Sequence, residues 1–148
     1  DDDFNVIAEM SNGATALINA TQIAVGYRND NGFRVYGTQK SLEWHQECAE
    51  ELIVWSEDRQ ERFRLGANFD FFPEAIAAYL RVPTGHNEDF FEALANLHCS
   101  IERTIRKRAG EDVVEPVAHP GAEEGLAGMR FVQKAVESSR NGSTWVDV

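Results

Sequence analysis

Runs that read as strands fill the first half of the chain, and runs at helical spacing fill the second. Residues 4–10 mix apolar and polar positions and end at Ser11, Asn12 and Gly13, after which residues 14–25 form a second extended run. Asn-Gly between two such runs predicts a hairpin with a type I′ turn, because both residues accept positive φ. The first two strands are therefore expected to be antiparallel neighbours. In the second run Ala14, Ala16, Ile18 and Ala20 share one face, while Thr15, Leu17, Asn19, Thr21 and Ile23 share the other. The small-residue face suits close approach of a helix. The mixed face suits solvent, substrate or another subunit, and the spacing does not choose among them.

Four further strands are predicted at 33–36, 41–45, 51–56 and 62–65, joined by connections short enough for a meander. Residues 66–85 read as irregular apart from a short helix at 73–80, with Phe69, Phe71 and Phe72 in a loop aromatic enough to be packed against something. The longest helix follows. Phe90, Leu94, Leu97, Ile101 and Ile105 recur at steps of three and four, so one stripe is apolar and is expected to lie on a sheet. Asn87 is the expected N-cap, Glu88, Asp89 and Glu92 precede the basic run Arg103, Arg106, Lys107 and Arg108 as the helix dipole favours, and Gly110 is the expected stop. A second helix spans 121–139 with Leu126, Met129, Val132 and Val136 on one face. Gly125 and Gly128 weaken it by up to ~1 kcal/mol each relative to alanine. Residues 144–148 read as a final short strand. Strands followed by helices, without alternation, predict an α+β fold: an open, predominantly antiparallel sheet with helices packed on one face.

Composition narrows the function. At 148 residues the chain fits one domain with its own core. Fourteen basic against 25 acidic residues give a net charge of −11, which opposes nonspecific binding to nucleic acid or to an anionic membrane. The balance favours a soluble protein with small-molecule or protein partners. No apolar run approaches the roughly 18 residues of a membrane span. Cys48 and Cys99 stand far apart in no metal spacing, which predicts reduced thiols in a cytoplasmic protein. The chain opens at Asp1 rather than Met and enters a strand-like run almost at once, which reads as a fragment of a longer protein.

Three strings then become recognisable in order: FNVIAEMSNGATALINATQIAVGYRNDNGFRVYGTQKSLEW, PTGHNEDFFEALANLH and EEGLAGMRFVQKAVESSRNGSTWVDV. Through them the chain resembles, almost from end to end, the C-terminal domain of the Gfo/Idh/MocA family, the glucose-fructose oxidoreductases, inositol dehydrogenases and rhizopine-catabolism proteins. The resemblance implies a large, mostly antiparallel open sheet with helices on one face, the other face commonly joining subunits. It also implies that residues 1–148 form a single substrate-binding and oligomerisation domain. The implied full-length protein is an NAD(P)-dependent oxidoreductase that oxidises a hydroxyl of a sugar, polyol or related small molecule by hydride transfer. Redox-neutral chemistry with a retained cofactor also occurs in the family. The family's N-terminal Rossmann domain and its Glu-Lys-Pro stretch are absent from this chain, as is any Gly-x-Gly-x-x-Gly to hold a pyrophosphate. The chain alone is therefore expected to bind neither NAD nor NADP and to turn nothing over. The contrasting hypothesis is an autonomous α+β binding module that never meets a cofactor.

Candidate site residues are few. His86 follows Gly85 just ahead of the long helix, and the family carries a Gly-His-Pro-Glu-like string near its substrate, with Asn87 here where proline is usual. Two readings are open: the imidazole contacts a substrate hydroxyl or helps move its proton, or it only supports the helix start and packs on Phe90. Arg28 and Asn29 lie in the turn after the second strand, where matching family strings also carry a basic residue and an asparagine. They either clamp a substrate or form a solvated turn. Tyr36, Trp44 and Trp55 suit stacking on a sugar ring, or core and interface packing. His98 reads as a hydrogen-bonded core residue, His45 and His119 as loop residues. Glu50 with Glu51, and Glu123 with Glu124, read as solvated surface. No catalytic residue and no metal site are assigned.

Overall fold

The computed structural model describes residues 2–64, 74–114 and 118–148, apart from the side chains of Glu74 and Ala75. Leu65 and the loop bearing Phe69, Phe71 and Phe72 lie outside the described residues. The chain divides into two compact units, Asp1–Tyr27 with Pro120–Val148, and Arg28–His119.

In the first unit β1 (Asp3–Glu9) and β2 (Thr15–Thr21) pair antiparallel in the register Phe4↔Ala20, Val6↔Ile18, Ala8↔Ala16. The hairpin forms as expected but by a different turn. Gly13 N–H donates to the Met10 carbonyl at 2.8 Å, and of the two turn residues only Gly13, at φ +84°, is left-handed. A longer loop with a single left-handed glycine thus replaces the type I′ turn. Phe4, Val6 and Ala8 are half-buried and their neighbours along β1 are exposed, so β1 alternates as a one-sided strand. The covering helix is α3 (Ala122–Arg140), whose Phe131 ring meets Phe4 edge-on at 6.0 Å. The face shared with Ala16 and Ala20 is the one that receives the helix. The half-buried line of α3 includes Phe131, Ala135 and Val136, whereas Leu126, Met129 and Val132 of the expected stripe are exposed. Gly142 (φ +79°) and Ser143 (φ +60°) end the helix. The Ser138 hydroxyl then donates to the Thr144 carbonyl at 2.6 Å, and the final residues are irregular rather than the expected strand, since among the described residues no strand pairs with them.

The second unit holds a meander in which each strand pairs antiparallel with the next: β3 (Gly32–Tyr36), β4 (Ser41–His45), β5 (Glu51–Trp55) and β6 (Gln60–Arg64). A 3-10 turn, Gln46–Cys48, separates β4 from β5. The register aligns Phe33, Trp44, Leu52 and Phe63 in one row, and Val35, Leu42, Val54 and the edge residue Glu61 beside it, so one face is mainly apolar. Val54, at 8% exposure, is the buried apolar residue among those described. Trp44 stacks on Phe33 at 5.6 Å and its indole N–H donates to the Ala49 carbonyl at 2.9 Å. The opposite face carries Arg34, Tyr36, Ser41, Glu43, His45, Ile53, Trp55 and Arg62.

Two helices follow, α1 (Glu74–Ala77) and α2 (Phe90–Arg108). The cap of α2 is Asp89 rather than Asn87, and Asp89 N–H donates to the Glu92 carboxylate at 3.0 Å. Those backbone hydrogen bonds push the Glu92 carboxyl below its ordinary pKa. At the far end Gly110 (φ +84°) and the Glu111 N–H bond to the Arg106 carbonyl close α2 as expected. The inward face of α2 departs from expectation. Its least exposed line runs through Ala95, Asn96, Cys99, Ser100 and Thr104, with Ser100 at 4%, while Leu94, Leu97 and Ile101 remain 37–39% exposed. Small and polar residues take that face because it meets a loop that hydrogen-bonds to it.

Candidate functional site

That loop, between α1 and α2, carries His86. Residues Pro83 to His86 form a turn in which His86 N–H donates to the Pro83 carbonyl at 3.1 Å. Gly85 occupies a left-handed conformation, φ +92°, that residues with a Cβ avoid. The His86 ring folds back on the same carbonyl, Nδ1 to Pro83 O at 3.2 Å. A carbonyl oxygen only accepts, so Nδ1 carries the hydrogen. In the neutral ring Nε2 is then the lone-pair nitrogen, and it makes no hydrogen bond among the described residues. The exposed imidazole thus offers an acceptor to a ligand hydroxyl, and the Phe90 ring meets Phe91 edge-on at 5.8 Å.

Three sets of contacts hold this loop. Glu88 Oε1 accepts from the N–H groups of Arg81 and Val82 at 2.7 and 2.8 Å. Glu88 N–H donates to Glu50 Oε1 at 3.1 Å, and the other Glu50 oxygen receives the Arg64 guanidinium at 3.2 Å. Arg81 reaches α2, donating to Asn96 Oδ1 at 2.6 Å and Cys99 Sγ at 3.2 Å, and Asn96 returns a bond to the Tyr79 carbonyl at 2.7 Å. Glu50 is therefore no solvated surface acid: its side chain is only 13% exposed, because it joins the β4–β5 connection to β6 and to the His86 loop. Glu51 is paired too, with Arg62 at 2.7 Å across the strands. Arg81, Glu88 and Glu50 are supports that the sequence reading did not identify. The one local signal was Glu88 two residues after His86, read there as helix-dipole chemistry.

Arg28 and Asn29 lie in the exposed connection before β3, beyond the Ala24 to Tyr27 turn, and neither makes a hydrogen bond or ion pair among the described residues. No described hydrogen bond links them to His86. His98 is exposed rather than core, and His45 ends β4 rather than lying in a loop.

A second polar cluster occupies the sheet face opposite the apolar rows. Glu43 receives Arg34 at 3.3 Å and contacts His45 Nε2 at 2.9 Å. The His45 contact and then the Arg34 guanidinium hold the Glu43 carboxyl below its ordinary pKa, and Glu43 in turn raises that of Arg34. Arg34, Tyr36, Ser41, Leu42, Glu43 and Trp55 line a shallow depression of about 320 Å³. Tyr36 and Trp55 thus sit beside polar groups, whereas Trp44 belongs to the apolar face. Among the described residues no three His, Cys, Asp or Glu side chains group to hold a metal ion, and no helix is long and apolar enough to cross a membrane. The described strand pairs are all antiparallel, and no two glycines in the chain are spaced Gly-x-Gly.

No family model matches the chain. It is 26% identical over 151 aligned residues to the uncharacterized oxidoreductase YfiI of Bacillus subtilis (strain 168), a match covering 99% of this chain and 38% of YfiI. Among solved structures, an oxidoreductase from Sinorhizobium meliloti superposes with a TM-score of 0.84 at 27% identity, over 99% of this chain and 41% of its own. An inositol dehydrogenase homologue from Azotobacter vinelandii, crystallised with NADH and myo-inositol, superposes with a TM-score of 0.82 at 25% identity, over 97% of this chain and 38% of its own. The homologues and structural neighbours are thus oxidoreductases, inositol dehydrogenase homologues among them, and the α+β fold is the one they share with this chain. The chain spans about two fifths of their length, the extent expected of a Gfo/Idh/MocA C-terminal domain.

Proposed function

We propose that this Gfo/Idh/MocA-like chain is the substrate-binding and oligomerisation domain of a cytoplasmic, NAD(P)-dependent oxidoreductase. Its full-length form oxidises a hydroxyl of a polyol, sugar or related small molecule by hydride transfer. The observation that carries this reading is the likeness, over nearly the whole chain, to a homologue holding NADH and myo-inositol. His86 is the substrate contact, Nε2 accepting a hydrogen bond from a substrate hydroxyl, and Arg28 and Asn29 supply further polar contacts. NAD or NADP is held by a separate Rossmann domain, so the present chain alone binds no nucleotide. Copies associate through an exposed sheet face.

The test begins with the gene. A reading frame continuing upstream of the Asp1 codon for roughly 100–150 residues, a domain's worth, with a strand, a glycine-rich turn and a helix, is expected. The full-length protein should then reduce NAD+ or NADP+ with a member of a polyol and sugar panel that includes myo-inositol. His86→Ala should raise KM for that substrate. A start codon immediately before Asp1, or a full-length protein inert toward the whole panel with both cofactors, rejects the proposal. Sedimentation showing only monomer at high concentration rejects the association.

A further inference from the structure

The loop that carries His86 is closed by a single atom. Glu88 Oε1 accepts two successive backbone N–H groups, those of Arg81 and Val82, and so ties the start of the loop to its end. Between these points lies the Pro83 to His86 turn, whose carbonyl fixes the imidazole by Nδ1. Glu88 is itself fixed, because its N–H is held by Glu50. Removing the carboxylate frees both N–H groups and opens the ring in which the turn is embedded. The helix cap survives, since it rests on Asp89 and Glu92.

From this geometry we infer that Glu88 is the positioning residue of the site: through the Arg81 and Val82 amides it holds the loop in the form that keeps Nδ1 of His86 on Pro83 and Nε2 available to a ligand. The inference rests on His86 being the substrate contact. The carboxylate acts as an acceptor of neutral N–H groups, so its charge is not required. Glu88→Gln retains an acceptor oxygen of nearly the same reach and should preserve the loop, whereas Glu88→Ala cannot.

Two readouts test this. In the chain itself, imidazole nitrogen resonances should report the Nδ1–H form of His86 in the native protein and in Glu88→Gln, with a mixture of tautomers in Glu88→Ala. The Arg81 and Val82 amides should exchange about tenfold faster in Glu88→Ala. In the full-length enzyme, KM for the best substrate of the polyol panel should rise about tenfold in Glu88→Ala, with kcat within about twofold, and Glu88→Gln should recover most of the loss. The inference is overturned if Glu88→Ala leaves the His86 ring and both amides unchanged, or if Gln fails to rescue what Ala loses. A KM that responds to His86→Ala and not to Glu88→Ala removes Glu88 and leaves the substrate contact standing. A KM indifferent to both removes the substrate contact and the inference together.

Discussion

Replacing Glu50 by alanine should destabilise the second unit more than removal of its ion-pair partner does. Glu50 accepts the Glu88 N–H and the Arg64 guanidinium, and only 13% of its side chain is exposed. A largely desolvated hydrogen bond to a charged acceptor contributes ~1.5 kcal/mol, and its loss leaves the Glu88 N–H without that partner. The ion pair contributes less: the Arg64 side chain is 65% exposed, and pairs open to solvent are worth ~0.5 kcal/mol. Glu50→Ala should therefore cost about 2 kcal/mol and Arg64→Ala about 0.5 kcal/mol. Glu50→Gln, which keeps an acceptor for the amide, should lie close to Arg64→Ala. With a urea slope of ~2 kcal/mol per molar, the midpoint should fall by ~1 M in Glu50→Ala and by ~0.25 M in the other two. Equal midpoints for Glu50→Ala and Arg64→Ala would refute the reasoning, since the part-buried amide contact would then contribute nothing.

Gly110→Ala puts a Cβ at φ +84° with open space around it, so only backbone strain is felt, and thermal melting should show a loss of about 1 kcal/mol. Val54→Ala should cost about 2 kcal/mol by urea unfolding, against a few tenths for the half-exposed Val35→Ala on the same face. Glu43, lowered from its ordinary 4.5 mainly by His45 and then Arg34, contributes stability that is present above that value and is lost as pH falls through the lowered one. The stability gap between the native chain and Glu43→Gln should accordingly close on acidification below about pH 4.5, and a gap that widens there refutes the assignment.

Strands were legible because alternation and turn residues are local signals. β3 to β6 fall within a few residues of where apolar spacing and the intervening polar turns put them. The expected strand at the end of the chain failed for the complementary reason: Thr144 to Val148 has strand-like composition, but a strand also needs a partner, and among the described residues none pairs with it. Helix α2 shows the limit of periodicity. Its Leu and Ile stripe is the pattern that reads as buried, yet the least exposed line passes through Asn96, Cys99 and Ser100, because Arg81 and Tyr79 bond to that side. His86 stood out as a candidate through its neighbours Gly85 and Glu88 and through the family likeness. Glu50 was not, since its contact is made across 38 positions of chain, and nothing in one sequence pairs residues so far apart.

The pairing of Phe4 with Phe131 has a consequence for synthesis. The first unit is assembled from the two ends of the chain, whereas the strands of the second meet only their immediate successors. On a ribosome moving at roughly 5–20 residues per second, the β1–β2 ribbon emerges several seconds before the helix that covers it. Throughout that interval Phe4 is presented to the cell without the Phe131 ring that meets it. The meander, built from local contacts, closes meanwhile. Birth order thus leaves this hairpin unsheltered until the helix arrives, long after the meander between them has formed.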